Sequence, residues 1–432
     1  MPPPRFARRV VSARKSPARQ RAAREARPTK DLNASWTWPT SFSSWRAYYT
    51  WRHTLDTRQN VLPCVRSVNR AAFYCLPGLV VIGAMKGGTT GLREKLIASR
   101  QFYTAGSESY PREAHFWDNF LGNASHLLSS SVEAIADAYA RCLGSIPAQE
   151  FATALTAGRI PRIAIDVTPG YSYGLGRDLL KKMKEVVPDA HLLLLARPGA
   201  DVHFSSVVMS LENGFFERAT PYQVAYKRGG CAQVRNYTAS VAAATMRIGR
   251  EHFFELATSK AAERADPDGY DWHILDEWRQ IAELGGSAYA LKLFFMVWPR
   301  SQITIVDSEA LFTREREVYD HISVAARLPS IQLTNGTRTR PAKPFANAAV
   351  GHVSSLLKLV ETCDLKAPFR CAWYGANERL ADVLGQPWPL KWNKQVNAAT
   401  CDTLSWSANT MTHDTGRRKE AHRPVRYGNR AS

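Results

Sequence analysis

The N-terminal region of the chain has almost no acidic residues and no long apolar run. Residues 1–30 contain ten lysine or arginine residues and one acidic residue, Glu25, so they carry +9 of the formal net charge of +19. They hold no stretch of the roughly 20 apolar residues that a membrane-spanning helix requires. A segment rich in arginine, alanine, proline and serine buries little apolar surface. We therefore expect residues 1–45 to form a basic disordered tail, or a targeting segment of the arginine-rich, acidic-poor kind that directs proteins to organelles.

Several other signatures are absent from the sequence. There is no internal repeat, no cysteine and histidine spacing typical of a zinc site, and no standard nucleic-acid-binding motif. The 57 lysine and arginine residues outnumber the 38 aspartate and glutamate residues, which favours anionic ligands. Nucleic acid is one such ligand, but much of the excess charge lies in the tail. We expect no metal and no nucleic-acid partner.

A strand–loop–helix pattern at residues 80–96 is the most informative feature that is present. An apolar run, Val80–Ile82, predicts a buried strand, and a glycine-rich loop follows it before a predicted helix. The glycines allow the backbone to approach a ligand closely. The unpaired N–H groups at the start of a helix favour a bound phosphate or sulfate. The loop carries a lysine, two glycines and two threonines in succession: Lys86, Gly87, Gly88, Thr89 and Thr90.

The spacing of this loop differs from that of the nucleoside triphosphatase loop, G-x-x-x-x-G-K-[ST]. Here Gly88 is followed by Thr89, and the lysine, Lys86, comes earlier. The loop instead resembles the 5′-phosphosulfate loop of the sulfotransferase family, which binds 3′-phosphoadenosine 5′-phosphosulfate (PAPS). The resemblance implies an α/β fold with a P-loop-like parallel sheet flanked by helices. It also implies PAPS as the donor co-substrate, with Lys86 acting on the leaving oxygen, and no metal.

A second buried strand at residues 192–195 ends at Arg197. In the sulfotransferase family, an arginine at a strand end and a serine eight positions later hold the 3′-phosphate of the donor. Arg197 and Ser205 have this spacing, and Ser206 is a neighbouring alternative. The Arg-Asn-Pro of the family is Arg-Pro-Gly here. The strand also lacks the terminal aspartate that a magnesium-dependent phosphotransferase normally provides, which weakens a kinase interpretation.

The segment PREAHFWD, at residues 111–118, supplies a candidate base. It resembles the Lys-Glu-x-His-Phe-Phe signature of carbohydrate sulfotransferases of the heparan and chondroitin type. By position, Glu113 would take the proton of the acceptor hydroxyl, and Arg112 would contact the acceptor. His115 competes for the role of base because its intrinsic pKa lies near neutrality. The choice between Glu113 and His115 stays open at this point.

Two further regions provide candidates for binding. Asp166 follows an apolar run and precedes Thr-Pro-Gly-Tyr, as in the strand end of the family, and would bind acceptor hydroxyls or orient Lys86. A basic stretch near residue 340 resembles the loop that closes over the nucleotide, and its candidates are Arg338, Arg340 and Lys343.

Together, the motifs predict a single sulfotransferase domain at residues 75–392 and a basic C-terminal tail at residues 393–432. The predicted reaction transfers a sulfuryl group from PAPS to a hydroxyl of a glycan or polysaccharide. One alternative is a P-loop-type ATP-dependent kinase or nucleotide-binding protein. Another is a sulfotransferase-like protein that binds glycans without catalysis.

The cysteines and sequons favour a secretory compartment. The seven cysteines include Cys363 and Cys371, which are close enough in sequence to pair, and a disulfide near this place occurs in heparan-type relatives. Because the number is odd, at least one thiol is left unpaired within the chain. Sequons occur at Asn33, Asn123, Asn236 and Asn335. We expect the protein to work in the Golgi lumen. The family's membrane anchor is not seen in this sequence. The alternative location is an organelle to which the basic tail directs the protein.

Overall fold

The computed structural model describes residues 37–53, 61–84, 86–104, 113–118, 124–212, 220–257, 291, 293–333, 347–386 and 388–393. Within these ranges the strands are β1 (Thr37–Phe42), β2 (Val61–Arg66), β3 (Ala72–Cys75), β4 (Leu79–Gly83), β5 (Phe102–Tyr103), β6 (Ile146–Pro147), β7 (Ile163–Val167), β8 (His191–Ala196) and β9 (Ile303–Asp307).

The helices up to the middle of the chain are α1 (Trp45–Arg52), α2 (Thr89–Ala98), α3 (Ala124–Ser129), α4 (Val132–Cys142), α5 (Ala148–Thr156), α6 (Tyr171–Gly174), α7 (Arg177–Val186), α8 (Gly199–Glu212) and α9 (Thr220–Ala257). Those after it are α10 (Ser308–Thr313), α11 (Glu315–Ala325), α12 (Asn347–Thr362) and α13 (Lys366–Leu384), with short 3₁₀ helices at Arg300–Gln302 and Trp388–Asn393.

The central sheet is parallel and has the order β5-β7-β4-β8-β9. Every residue of β4, β7 and β8 is buried, which explains why these strands are mostly apolar without polar alternation, with Asp166 in β7 and His191 in β8 as polar exceptions. Alternate residues serve opposite faces: Val80 and Leu192 pack with helices α4 and α7, whereas Val81 and Leu193 pack with α2 and α11. The chain therefore has the predicted α/β fold, a parallel sheet flanked by helices.

The strand order reverses beside β4. The connection that leaves β4 through α2 leads to β5 on one side, whereas β8 and β9 lie on the other. In open parallel sheets, such a reversal leaves a crevice at the carboxyl ends of the strands, where ligands bind. In this chain the crevice is at the ends of β4 and β8, after Gly83 and Ala196.

A second sheet has the order β1-β2-β3-β6, and its strands β1, β2 and β3, together with helix α1, begin before the predicted start of the domain at residue 75. Trp45 and Tyr48 of α1 are buried in the same core cluster as Val80. Arg52 makes a bidentate ion pair with Asp189, at 2.7 and 2.9 Å. Because burial of each large aromatic side chain contributes about 2–3 kcal/mol, helix α1 and strands β2 and β3 belong to the folded body. The predicted domain bounds, residues 75–392, begin after helix α1 and strand β2.

The disulfides differ from the predicted pairing. Cys64 and Cys75 are bonded across β2 and β3, where they lie opposite each other. Cys231 of α9 is bonded to Cys363, which follows α12, so the predicted Cys363–Cys371 bond is wrong. Cys371 is also disulfide-bonded. Cys142 is a free thiol.

Helices α8, α9, α12 and α13 share a second apolar cluster, which the Cys231–Cys363 bond reinforces. Among the described residues, no helix is both long enough and apolar enough to cross a lipid bilayer.

Candidate active site

The loop after β4 is held close to the sheet. The Ala84 N–H donates to the Leu195 carbonyl at 2.9 Å, and the Gly87 N–H donates to the Ala84 carbonyl at 2.9 Å. A Cβ at Gly87 would lie 2.8 Å from both of these carbonyl oxygens, so no other residue fits there without displacing backbone. This cramped position explains the glycine at 87.

Helix α2 starts at Thr89 and has Gly88 as its N-cap residue. Gly88 has φ 97°, a left-handed conformation that glycine adopts without a steric penalty. It offers no side-chain oxygen to the first N–H groups of the helix, and no side-chain cap occurs there in the described structure. Thr89 is buried and Thr90 is exposed, so the two threonines face different surroundings. The start of α2 fits a phosphate or sulfate group.

Arg197 links the end of β8 to this loop. Its Nη1 donates to the Lys86 carbonyl oxygen at 2.6 Å, across the strand pair where the sheet order reverses. Lys86 has φ 60°, a left-handed conformation that is uncommon for a residue with a side chain. The structure thus brings together the lysine loop and the arginine that the sequence placed about a hundred residues apart.

Ser205 lies in the second turn of α8, which begins two residues after Arg197. It is half-buried, whereas the neighbouring Ser206 is buried. Asp201, one turn earlier on the same helix, pairs with Lys366 of α13 at 2.6 Å. The predicted serine therefore lies on the helix that continues from the Arg197 strand.

The Glu113–Asp118 segment carries a row of three ionisable side chains. His115 Nδ1 lies 2.8 Å from Asp118 Oδ2, and His115 Nε2 lies 2.9 Å from Glu113 Oε2. His115 and Asp118 are buried, while Glu113 keeps 28% of its side chain exposed. Burial by itself lowers the pKa of His115, but hydrogen bonds and charge from Asp118 and Glu113 outweigh it and raise the pKa to about 9. An imidazole that is protonated at neutral pH has no free lone pair on nitrogen, so His115 does not accept a proton there.

Asp166 lies at the end of β7 and is fully buried. Its carboxylate accepts hydrogen bonds from the hydroxyls of Thr168 at 2.6 Å, Tyr139 at 2.6 Å and Tyr171 at 2.8 Å. Burial raises the pKa of Asp166 to about 6, although the three hydroxyl hydrogen bonds lower it. All three of these hydroxyls belong to the protein, whereas the predicted roles of Asp166 were to bind acceptor hydroxyls or to orient Lys86.

Sequence reasoning missed Asp118, Thr168, Tyr171 and Tyr139. Thr168 and Tyr171 follow Asp166 in the Thr-Pro-Gly-Tyr motif, so their spacing was a usable signal. Tyr139 lies on α4 and reaches Asp166 only through the fold.

A cluster of ion-paired side chains at the end of β9 was also not indicated by the sequence. Lys391, in the 3₁₀ helix at Trp388–Asn393, pairs with Asp307 and with Glu309, the latter at 2.7 Å. Phe312 of α10 is 61% exposed and borders the lysine loop, since a Cβ at Gly88 would lie 2.9 Å from its Cζ.

Some predicted residues lie outside the described part of the chain: Arg112, Arg338, Arg340 and Lys343. Among the described residues, no group of three or more histidine, cysteine, aspartate or glutamate side chains is arranged to hold a metal ion.

No protein-family model matches the chain, and no curated protein matches it. Among solved structures, the chain is similar to a sulfotransferase from Alicyclobacillus acidocaldarius, with 14% identity and a TM-score of 0.36, over 72% of this chain and 96% of that one. It is also similar to the sulfotransferase domain from the curacin biosynthetic pathway, with 12% identity and a TM-score of 0.27, over 65% of this chain and 98% of that one.

Proposed function

We propose that this chain is a sulfotransferase that transfers a sulfuryl group from PAPS to a carbohydrate hydroxyl. The observation that carries the proposal is the 2.6 Å contact between Arg197 and the Lys86 carbonyl. It joins two anion-binding elements, an open helix start and a guanidinium, at the point where the sheet order reverses. A donor with two separate anionic groups fits this pair of elements.

The residues of the crevice fit such a donor in distinct roles. The loop at Lys86–Thr89 would hold the 5′-phosphosulfate through backbone N–H groups, and Lys86 would place a positive charge beside it. Arg197 and Ser205 would hold the 3′-phosphate, because a guanidinium binds phosphate oxygens in a bidentate manner and a hydroxyl adds a further donor. When bound, PAPS supplies the sulfuryl group, whose bond to the bridging phosphate oxygen breaks as the bond to the acceptor oxygen forms.

Glu113 is the general base in this proposal. It is the member of the Glu113–His115–Asp118 row that reaches solvent, and a carboxylate accepts the proton that the acceptor hydroxyl loses. His115, protonated between two carboxylates, holds Glu113 by a charge-assisted contact. The proposal therefore gives the role of base to Glu113 and not to His115.

The position of the base segment, residues 113–118, relative to the lysine loop supports the mechanism. The backbone N–H groups of Ala114 and His115 contact the Thr168 hydroxyl, and the Thr168 N–H donates to Val81 of β4 at 3.1 Å. Val81 lies two residues before Gly83, where β4 ends. The base segment is thus attached beside the strand that leads into the lysine loop.

Two features support a carbohydrate acceptor. The Glu-x-His-Phe pattern at Glu113–Phe116 resembles the carbohydrate branch of the family, and the net charge of +19 suits a polyanionic glycan.

Calorimetric titration with adenosine 3′,5′-bisphosphate in EDTA tests the donor site. We expect tight binding without metal, and a loss of binding in Arg197→Ala. Arg316→Ala is the charge-matched control, because Arg316 is 75% exposed on α11 and should leave binding unchanged. Binding of ATP only with Mg²⁺ would replace the proposal with the kinase alternative.

Transfer of labelled sulfate from PAPS to a panel of glycans tests the acceptor. We expect labelled polysaccharide, and a glycan that binds but is never labelled would indicate a non-catalytic binding protein. Labelling of phenols alone would contradict the carbohydrate assignment.

We further propose that the protein works in the Golgi lumen or elsewhere in the secretory pathway, because stable disulfides are typical of oxidising compartments. Glycosidase treatment of the protein made in cells should shift its electrophoretic mobility. The absence of N-glycans together with reduced cysteines would contradict this location.

A further inference from the structure

We propose that Thr168 and Tyr171, whose hydroxyls donate to the buried Asp166 carboxylate, are positioning residues that fix the backbone of residues 113–118. The role of Glu113 as the base rests on the proposed function, whereas the hydrogen-bond network does not depend on it.

The inner layer of the network consists of three hydroxyls around one carboxylate. Thr168 donates to Oδ1 of Asp166, and Tyr139 and Tyr171 both donate to Oδ2. A hydroxyl has a single proton, so each of these groups is committed as a donor to Asp166. The lone pairs of each hydroxyl oxygen remain for another donor.

The outer layer consists of four consecutive backbone N–H groups. Ala114 and His115 donate to the Thr168 hydroxyl, at 3.1 and 3.4 Å. Phe116 and Trp117 donate to the Tyr171 hydroxyl, at 3.1 and 3.4 Å. These amides belong to no helix or strand, so side-chain oxygens take the place of a backbone ladder.

The Asp166 carboxylate fixes the orientation of the hydroxyls of Thr168 and Tyr171. A hydroxyl that donates to an ionised oxygen has its lone pairs turned away from that oxygen, toward the amides, and hydrogen bonds in such a chain strengthen one another. Without Asp166, the hydroxyl protons would have no fixed acceptor and the hydroxyls would rotate.

The segment needs such support because its conformation is not a relaxed one. His115 has φ 47°, a left-handed conformation that persists only where the surroundings hold it. The same residue contacts both Glu113 and Asp118. A shift of the backbone at His115 would therefore move the carboxylate of Glu113.

Three single variants test the proposal, because each removes one hydroxyl from Asp166. Thr168→Val and Tyr171→Phe also remove the acceptors of the segment amides. Tyr139→Phe removes none of them and retains the ring that stacks on Phe116 at 4.7 Å. Thr168→Ser keeps the hydroxyl and serves as the rescue variant.

Hydrogen exchange of the amides at residues 114–117 is the first readout. We expect faster exchange in Thr168→Val and Tyr171→Phe, near-native protection in Thr168→Ser, and a much smaller change in Tyr139→Phe. Equal changes in all three hydroxyl-deletion variants would overturn the proposal, because they would report only a general loss of stability. This readout requires no turnover, so it stands even if the sulfotransferase assignment fails.

Steady-state kinetics is the second readout. We expect kcat to fall on the order of ten- to a hundredfold in Thr168→Val and Tyr171→Phe, as for a misplaced catalytic group, with unchanged calorimetric affinity for adenosine 3′,5′-bisphosphate. A loss of bisphosphate affinity that parallels the loss of kcat would overturn the positioning role. Absence of bisphosphate binding in the unaltered protein would instead refute the proposed function.

Discussion

His115 lies between two carboxylates, and this position fixes the arrangement of the three side chains. Asp118 is buried beside one ring nitrogen and Glu113 reaches solvent beside the other. A positive charge between two negative ones reduces the repulsion of the carboxylates and keeps both in place. The row therefore presents one exposed carboxylate at a fixed location.

Replacement of the exposed carboxylate tests its chemical role. We expect Glu113→Gln to lower kcat on the order of 10²- to 10⁴-fold, the usual contribution of a general base. The affinity for adenosine 3′,5′-bisphosphate should not change, since the donor elements lie on β4 and β8. Rates with PAPS and calorimetry with the bisphosphate measure the two effects, and a variant with full activity would exclude Glu113 as the base.

The raised pKa of His115 predicts a loss of stability at alkaline pH. A group whose folded-state pKa of about 9 exceeds its ordinary value of 6.5 stabilises the fold fully below pH 6.5, and this contribution disappears as the pH rises through 9. The loss is at most about 3 kcal/mol, from the size of the shift. Urea unfolding from pH 6 to 10 should show this decline, and His115→Gln should flatten it. A parallel decline in both proteins would assign the effect to other groups.

Asp166 shows that residue type and spacing predict the position of a side chain in the fold but not its surroundings. Its place at a strand end was predicted from the sequence, because the preceding run Ile163–Ile165 is apolar. Its environment was not, because the three hydroxyls around it include Tyr139 from a separate helix. Burial of a carboxylate depends on partners that only the fold brings together.

At the scale of elements, the lysine loop depends on the absence of a side chain at residue 87. We expect Gly87→Ala to destabilise the fold by about 1–3 kcal/mol through overpacking and to weaken bisphosphate binding on the order of tenfold or more. The cause is the clash of a new Cβ with the carbonyls of Ala84 and Leu195.

Gly351→Ala is the matched control for that change. Gly351 lies in α12 with no atom within 4 Å of a new Cβ, so alanine there should stabilise the helix by about 0.5–1 kcal/mol. Thermal unfolding and calorimetry compare the two variants. Equal effects would show that the loop tolerates a side chain.

The central strands were predictable because they are buried on both faces. Runs such as Val80–Ile82 and Leu192–Leu195 carry that signal within a few residues. Strand β1, at Thr37–Phe42, carries no such signal, because it borders a basic tail and, among the described strands, pairs with β2 alone. The tail was therefore predicted to run to residue 45, past the start of β1.

At the scale of the whole molecule, the Cys231–Cys363 bond joins segments that are 132 residues apart in sequence. No local spacing indicates such a bond, whereas the closeness of Cys363 and Cys371 suggested a pairing that the fold does not make. Long-range pairing follows from how α9 packs against α12.

This bond should contribute strongly to stability. We expect Cys231→Ser to lower the free energy of unfolding by about 2–4 kcal/mol, because the crosslink restricts the unfolded chain. Cys142→Ser, which removes the free thiol, should cost well under that amount. Guanidinium unfolding under oxidising conditions measures both, and equal losses would contradict the crosslink.

The reversal of strand order beside β4 also separates two sets of residues that can evolve at different rates. In the proposed function, the donor-binding residues follow strands β4 and β8. The base segment is instead held by Thr168 and Tyr171, which follow β7. Mutations that reshape the acceptor side but keep the hydrogen bond from Thr168 to Val81 of β4 would therefore leave the anion-binding side in place. A lineage built on this arrangement can exchange one acceptor for another while its donor chemistry is inherited intact.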